Sequence, residues 1–155
     1  MPARLIRRRL LEVATARMAE EAVVVLQGPR TVGKSVLLAE LAKMAGVEVI
    51  DLDDPSTAEA VSADPALVAG SAAPVCIDEY QHAPELLGAI KSELNRGLRP
   101  GRFVLTGSTR SEAVPELARY LAGRVHLLSV LPFFPGRARW NPGGSAGGAS
   151  PWRFH

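Results

Sequence analysis

Gly28-Pro29-Arg30-Thr31-Val32-Gly33-Lys34-Ser35 fits the pattern G-x-x-x-x-G-K-[ST] at every fixed position and stands between an apolar run and a helical periodicity. A loop in that position is a phosphate cradle. Glycines let the backbone curl until successive N–H groups point inward, and the helix that follows presents its positive end to an anion. In this chemistry Lys34 reaches the β- and γ-phosphates of a nucleoside triphosphate, and the Ser35 hydroxyl ligates the accompanying Mg2+. The nucleotide-binding stretch is therefore Gly28, Pro29, Arg30, Thr31, Val32, Gly33, Lys34, Ser35 and Val36. A purely structural glycine turn is the plainer alternative.

The flanks support the nucleotide reading. Residues 22–26 (Ala-Val-Val-Val-Leu) form a continuous apolar run, the signature of a strand buried on both faces, and it ends at the loop. The helix expected at 34–45 turns Val36, Leu37, Leu41 and Met44 inward and stops at Gly46. A second strand is expected at 47–51. Asp51, Asp53 and Asp54 beyond it suit a metal cluster, but acids before Pro55-Ser56-Thr57 also make a good helix start. An alanine-rich helix follows at 56–69, interrupted around Asp64-Pro65. Ahead of all this, Ile6, Leu10, Val13, Ala14 and Met18 fall on one face of an amphipathic helix at 4–20. Its arginines offer a contact for nucleic acid or a partner, or simply a solvated face with Arg8 and Glu12 paired at i,i+4.

A second motif appears at residues 73–79, an apolar strand ending in Asp78-Glu79 some fifty residues after the loop. This is the Walker B arrangement, in which Asp78 holds the Mg2+ shell and Glu79, as general base, polarises an attacking water. Strands often end in acids; the preceding phosphate loop gives this one its specificity. Pro84 then opens a helix with Leu86, Leu87, Ile90 and Leu94 inward, ending near Gly97, and His82 lies in the turn before it. A fourth strand is expected at 101–108. Thr106 and Ser108 emerge at its C-terminal end, where ligands of open α/β sheets bind, as candidates to sense the γ-phosphate or orient the water. Small polar residues also serve turns, which is the alternative for both. A helix at 111–122, with Val114, Leu117, Ala118 and Leu121 inward, and a strand at 123–128 complete the pattern, with Arg124 at their junction.

Composition limits the function classes. The 155 residues are 47% hydrophobic and 22% charged, ordinary for one globular domain. The formal charge of +2 comes from Arg137, Arg139 and Arg153 near the C-terminus, without which residues 1–131 carry −1, so charge alone does not point to nucleic acid. Cys76, the single cysteine, lies in the strand of the second motif and reads as a buried, inert thiol compatible with a reducing cytoplasm. No stretch has the length of a membrane span, and Glu12, Arg17, Glu20 and Glu21 break any leader-like apolar run.

Taken together, Gly28-Pro29-Arg30 with Val32-Gly33-Lys34-Ser35, Asp51-Leu52-Asp53-Asp54-Pro55, Ile77-Asp78-Glu79 with Gln81, Gly101-Arg102-Phe103 with Leu105-Thr106-Gly107-Ser108, and Leu121-Ala122-Gly123-Arg124-Val125 resemble a family of bacterial and archaeal AAA-type P-loop ATPases. The resemblance covers residues 1–131. It implies an α/β fold, a three-layer α/β/α P-loop NTPase with a mainly parallel five-stranded sheet in the order 5-1-4-3-2, and ATP with Mg2+ as cofactors. It also implies that Lys34 and Ser35 bind phosphate and Mg2+, that Asp78 and Glu79 form Walker B, and that Thr106 or Ser108 is the sensor. Arg30 is placed at the phosphates, and Arg124 is cast as an arginine finger on a neighbouring subunit. Family members continue into a helical lid and a further domain. Residues 132–155 instead hold five of the eight aromatics and five of the fourteen glycines without helical or strand period, and are expected to be a disordered tail left by truncation or a frame change.

The resulting expectation is a cytoplasmic ATP-binding core, 1–131, with ATP hydrolysis coupled to an unidentified protein or nucleic-acid client and self-association as a possibility. The alternatives are a small P-loop kinase and a nucleotide-binding interaction module without turnover. A GTPase is disfavoured, because no Asn-Lys-x-Asp guanine-reading motif is present.

Overall fold

β1 (Val23–Gly28) is buried along almost its whole length, and the sheet is built outward from it. In the structure, a computed structural model, residues 2–29, 33–108, 117, 119–121 and 123–130 are described. Around β1 the elements follow as α1 (Pro2–Met18), α2 (Lys34–Ala45), β2 (Val49–Asp51), α3 (Pro55–Ala63), α4 (Pro65–Ala69), β3 (Val75–Asp78), a 3-10 turn (Tyr80–His82), α5 (Leu86–Arg96), β4 (Phe103–Ser108) and β5 (Val125–Ser129). The strands form one sheet in the order β2-β3-β4-β1-β5, and every pairing is parallel. This is the expected order 5-1-4-3-2 read from the other edge. The expectations at residues 30–32, most of 111–122 and all of 132–155 lie outside the described residues.

Strand periodicity divides the core in two. Val24, Leu26, Cys76, Val104 and Leu128 pack on one face under α1 and α2. Val23, Val25, Ile77, Phe103 and Leu105 pack on the other, against Val61 of α3, Ala69 of α4, Leu86, Ile90 and Leu94 of α5, and Leu117 and Leu121. Because both faces are covered, the central strands must be apolar at every position, hence the unalternating runs in the sequence. Each fully buried Val or Leu contributes about 1.5–3 kcal/mol, so the strands that carry the site are the firmest part of the molecule.

The helices form where their local signals predict. Asp54 accepts from the Ser56 N–H at 3.3 Å and from the Thr57 hydroxyl at 2.8 Å, and Pro55 follows at the first helical position of α3. Asp64 then ends α3 and caps α4, accepting from the Leu67 N–H at 3.2 Å, which accounts for the interruption at Asp64-Pro65. α1 buries Leu10 and Ala14 and packs Ile6, Val13 and Met18 against the same core, while Arg8 pairs with Glu12 at 3.6 Å on the solvent side. In α2 the buried stripe is Leu37, Leu38, Leu41 and Ala42, and Val36 and Met44, expected inward, are 47% and 64% exposed. The reason is that α1 covers the flank of α2, which rotates the buried stripe toward Leu38 and Ala42 and leaves Val36 and Met44 outside it.

Candidate functional site

The site grows from the C-terminal ends of β1, β3 and β4. β1 ends at Gly28, opposite Ser108 at the end of β4. Across residues 30–32, which are not described, the chain re-enters at Gly33, whose φ of 86° is a left-handed conformation open to glycine at little cost and strained for other residues. Gly33 is the N-cap of α2 and has no side chain to satisfy the first N–H groups of the helix. Those donors and the positive end of the helix dipole face the loop region, an arrangement suited to an anion.

Lys34 follows immediately and is only 4% exposed. Its Nζ donates to the Gly28 carbonyl at 2.6 Å and to the Gly107 carbonyl at 3.0 Å, tying the loop to the end of β4. An ammonium is costly to remove from water unless it is hydrogen-bonded, and these carbonyls hold it at the sheet edge. Ser35 and Val36 lie exposed in the first turn of α2.

On the neighbouring strands a chain of hydrogen bonds links the second motif to the fourth strand. The pairing Ile77↔Leu105 continues laterally to bring Asp78 beside Thr106, and both side chains fall on the α2 side by strand alternation. The Thr106 hydroxyl, fully buried, donates to Asp78 Oδ1 at 2.5 Å and accepts from the Glu79 N–H at 2.9 Å. One threonine thus fixes a carboxylate and the backbone of the next acid together. Ser108, two residues on and 8% exposed, lies on the same side of the strand. Among the described residues Lys34, Asp78, Thr106 and Ser108 are all of the buried polar side chains, and all four sit at this edge.

Glu79 has φ 58° and ψ 57°, the only positive φ of a non-glycine among the described residues. Such strain persists where the surroundings over-determine it. Here they do so in three ways. The Thr106 hydroxyl holds the Glu79 N–H, the Gln81 Nε2 donates to the Glu79 Oε2, and the 3-10 turn is closed by the His82 N–H on the Glu79 carbonyl at 3.1 Å. Tyr80, 1% exposed, is pushed into the core by this turn, and its ring lies where residue 107 would carry a Cβ, 2.5 Å from that position. Glycine at 107 is therefore required by close approach. No local signal in the sequence marks the contact of Gly107 with Tyr80 or the bond from Gln81 to Glu79.

Other candidates are placed apart. Arg124 lies at the start of β5, at the N-terminal edge of the sheet, and donates to the Leu121 carbonyl at 3.1 Å and to Asn95 Oδ1 at 2.8 Å. Since Val23 pairs with Val125 while Gly28 ends at the loop, the length of β1, roughly 16 Å, separates it from the site of its own chain. Asp54 is occupied as a helix cap, Asp51 accepts from the Asp53 N–H at 2.9 Å, and Asp53 lies 3.5 Å from His82 Nε2. Among the described residues no group of three or more His, Cys, Asp or Glu side chains is arranged to hold a metal. Burial pushes the Cys76 thiol up to about 11, so it is inert as a nucleophile near neutral pH. No helix among the described residues is long and apolar enough to cross a membrane.

A family model described as AAA domain matches residues 20–135. The chain is also 35% identical, over 109 residues, to an uncharacterised protein of Mycobacterium tuberculosis, Rv2008c, and to its counterpart Mb2031c in Mycobacterium bovis. Each match covers 70% of this chain and 24% of the mycobacterial protein, so the chain spans about a quarter of the length of these relatives.

Proposed function

This chain belongs to the AAA domain family, whose members have a P-loop nucleotide-binding domain of the ATPase type, and from that premise we propose that it binds Mg-ATP at the C-terminal edge of its sheet and hydrolyses the β–γ phosphoanhydride. The observation that carries the reading is the buried ammonium of Lys34, held on the Gly28 and Gly107 carbonyls beside the linked Asp78, Thr106 and Glu79. A sheet edge that concentrates a buried cation, a buried carboxylate and an uncapped helix N-terminus fits a triphosphate with its metal better than it fits any apolar ligand.

In this reading the backbone N–H groups of Arg30, Thr31, Val32, Gly33, Lys34, Ser35 and Val36 cradle the phosphates, and Gly28 and Pro29 shape the entry to the loop. Lys34 exchanges its carbonyl partners for the β- and γ-phosphate oxygens. Ser35 and Asp78 supply the hard oxygen donors that suit Mg2+, which when bound neutralises charge on the β- and γ-oxygens. Glu79 takes the proton of the attacking water, and Thr106 holds its backbone in register with Asp78 so that base and metal ligand keep a fixed spacing. Ser108 faces the same space as a γ-phosphate sensor. Arg124, at the opposite edge of its own sheet, acts on the site of another copy. The client, protein or nucleic acid, and self-association belong to the same proposal.

A kinase or a non-hydrolysing interaction module would use the same cradle. Single-turnover assays with γ-labelled ATP and Mg2+, with and without candidate phosphate acceptors, separate the three. The proposal expects labelled inorganic phosphate without an acceptor. Label appearing only on an acceptor identifies a kinase, and intact bound ATP identifies a module without turnover.

A further inference from the structure

Gln81, two residues beyond the second motif, has no task in the chemistry above. Its Nε2 donates to Glu79 Oε2, two residues back, across the 3-10 turn. The other end of the same amide, Oε1, is buried and has no hydrogen-bond partner among the described residues. An amide retained only to stabilise the turn would satisfy both ends, because a buried carbonyl left unpaired costs stability. Beside it Glu79 holds a left-handed backbone that is strained for a glutamate. Two unfavourable features two residues apart, joined by one hydrogen bond to the expected base, mark a functional constraint.

We propose that Gln81 is a positioning residue for Glu79: its carboxamide grips one carboxylate oxygen and leaves the other directed to the attacking water. The inference rests on the reading of Glu79 as general base. The anchoring is stepwise. Tyr80 is locked in the core against Gly107, the Ala83 N–H closes on the Tyr80 carbonyl at 3.1 Å, and Gln81 between them has its backbone fixed relative to Glu79. The Glu79 side chain has several rotatable bonds, and without the Gln81 donor only its backbone remains held, through the Thr106 hydroxyl. A base displaced by an ångström or so loses on the order of 100-fold in rate while the phosphate cradle is untouched.

The test compares full-length wild type with Gln81→Met, Glu79→Gln and the double variant, measuring Mg-ATP affinity by calorimetry, single-turnover hydrolysis and melting temperature. Met keeps the length of Gln without the donor. The expected result for Gln81→Met is wild-type melting and ATP affinity within about twofold, with hydrolysis slowed about 10- to 100-fold. In the Glu79→Gln background the same substitution then causes no further loss, because a residue that acts only through the base has nothing left to act on. Gln81→Glu, which sets a second carboxylate against Glu79, should be slower than Gln81→Met. A wild-type or faster rate in Gln81→Met while Glu79→Gln is slow overturns the inference and leaves the base reading intact. Multiplying losses in the double variant likewise overturn it, by showing that Gln81 acts independently. Wild-type turnover in Glu79→Gln overturns the base reading itself, and the inference with it.

Discussion

At the C-terminal edge of the sheet Lys34, Asp78, Thr106 and Ser108 are buried polar side chains drawn together from α2, β3 and β4. At the N-terminal edge of the same sheet Arg102 and Arg124 are half-buried and locally paired. Arg102 bonds Glu93 at 3.0 Å and the Gly97 carbonyl at 3.4 Å, and Arg124 bonds Asn95 and the Leu121 carbonyl. The strands, the packing and the residue types are comparable; the environment of the charge is not. An arginine already bonded to a carboxylate, an amide or a carbonyl of its own edge needs no ligand to explain it. A buried lysine at a helix N-terminus, beside a buried aspartate and a strained glutamate, stabilises the fold less than apolar residues would, and the proposed ligand is what would account for the arrangement.

The contrast can be broken most forcefully at Thr106. Thr106→Val keeps the shape and deletes the hydroxyl, leaving the Glu79 N–H without its partner and Asp78 without its donor. The expected cost is about 2–3 kcal/mol of unfolding free energy, read by urea titration, together with a loss of turnover. A cost under about 0.5 kcal/mol would mean that the chain of bonds is incidental. Gly107→Ala comes next. Its Cβ meets Tyr80 at 2.5 Å, so the expected destabilisation is about 1–3 kcal/mol, and adding Tyr80→Leu should recover part of it. No recovery would show that the close approach is not the cause.

The N-terminal edge should respond weakly. Glu93→Gln, which weakens the largely buried pair with Arg102, is expected to cost about 1–2 kcal/mol and to leave Mg-ATP affinity unchanged. Arg124→Ala should also leave affinity unchanged, and should lower turnover only at concentrations where the protein self-associates. The same defect in a strictly monomeric sample argues against action in trans.

The smallest effect is at His126 on β5. Burial, and after it Arg17, lower the affinity of this imidazole for a proton below the ordinary value of 6.5, while Glu21 and Glu20 act the other way. Its Nε2 is buried without a hydrogen-bond partner among the described residues. Because the unfolded chain binds the proton more readily than the folded one, the neutral ring's contribution is present above about pH 6.5 and is lost as pH falls through that value toward the lowered folded one. Melting temperature should fall over that window in wild type, and less in His126→Leu; identical profiles would remove His126 from the account.

Much of the fold was legible because its signals are local. The unbroken apolar runs marked doubly covered strands, Asp54-Pro55 and Asp64-Pro65 marked helix starts, and the glycine-lysine loop fixed which strand end faces a ligand. The features that were not legible depend on contacts between distant residues. Thr106 was readable as a polar residue at a strand end, but that its hydroxyl joins Asp78 to the Glu79 backbone follows from the register of β3 on β4. The inward face of α2 was misjudged at Val36 and Met44 because α1, distant in sequence, covers one flank. Gly107 and Tyr80 meet only through the turn that Glu79 initiates, and no periodicity encodes that. Arg124 sat beside a motif in sequence and at the opposite edge in space.

The central claim is that the C-terminal edge is built around the phosphates of ATP. Its most direct test is calorimetric titration of Mg-ATP into wild type and Lys34→Ala, with melting temperature measured on both. The account predicts saturable binding in wild type and a loss on the order of 100-fold or more in Lys34→Ala, since in the proposed reading the buried ammonium meets the β- and γ-phosphates. Equal affinity in two well-folded proteins would contradict it.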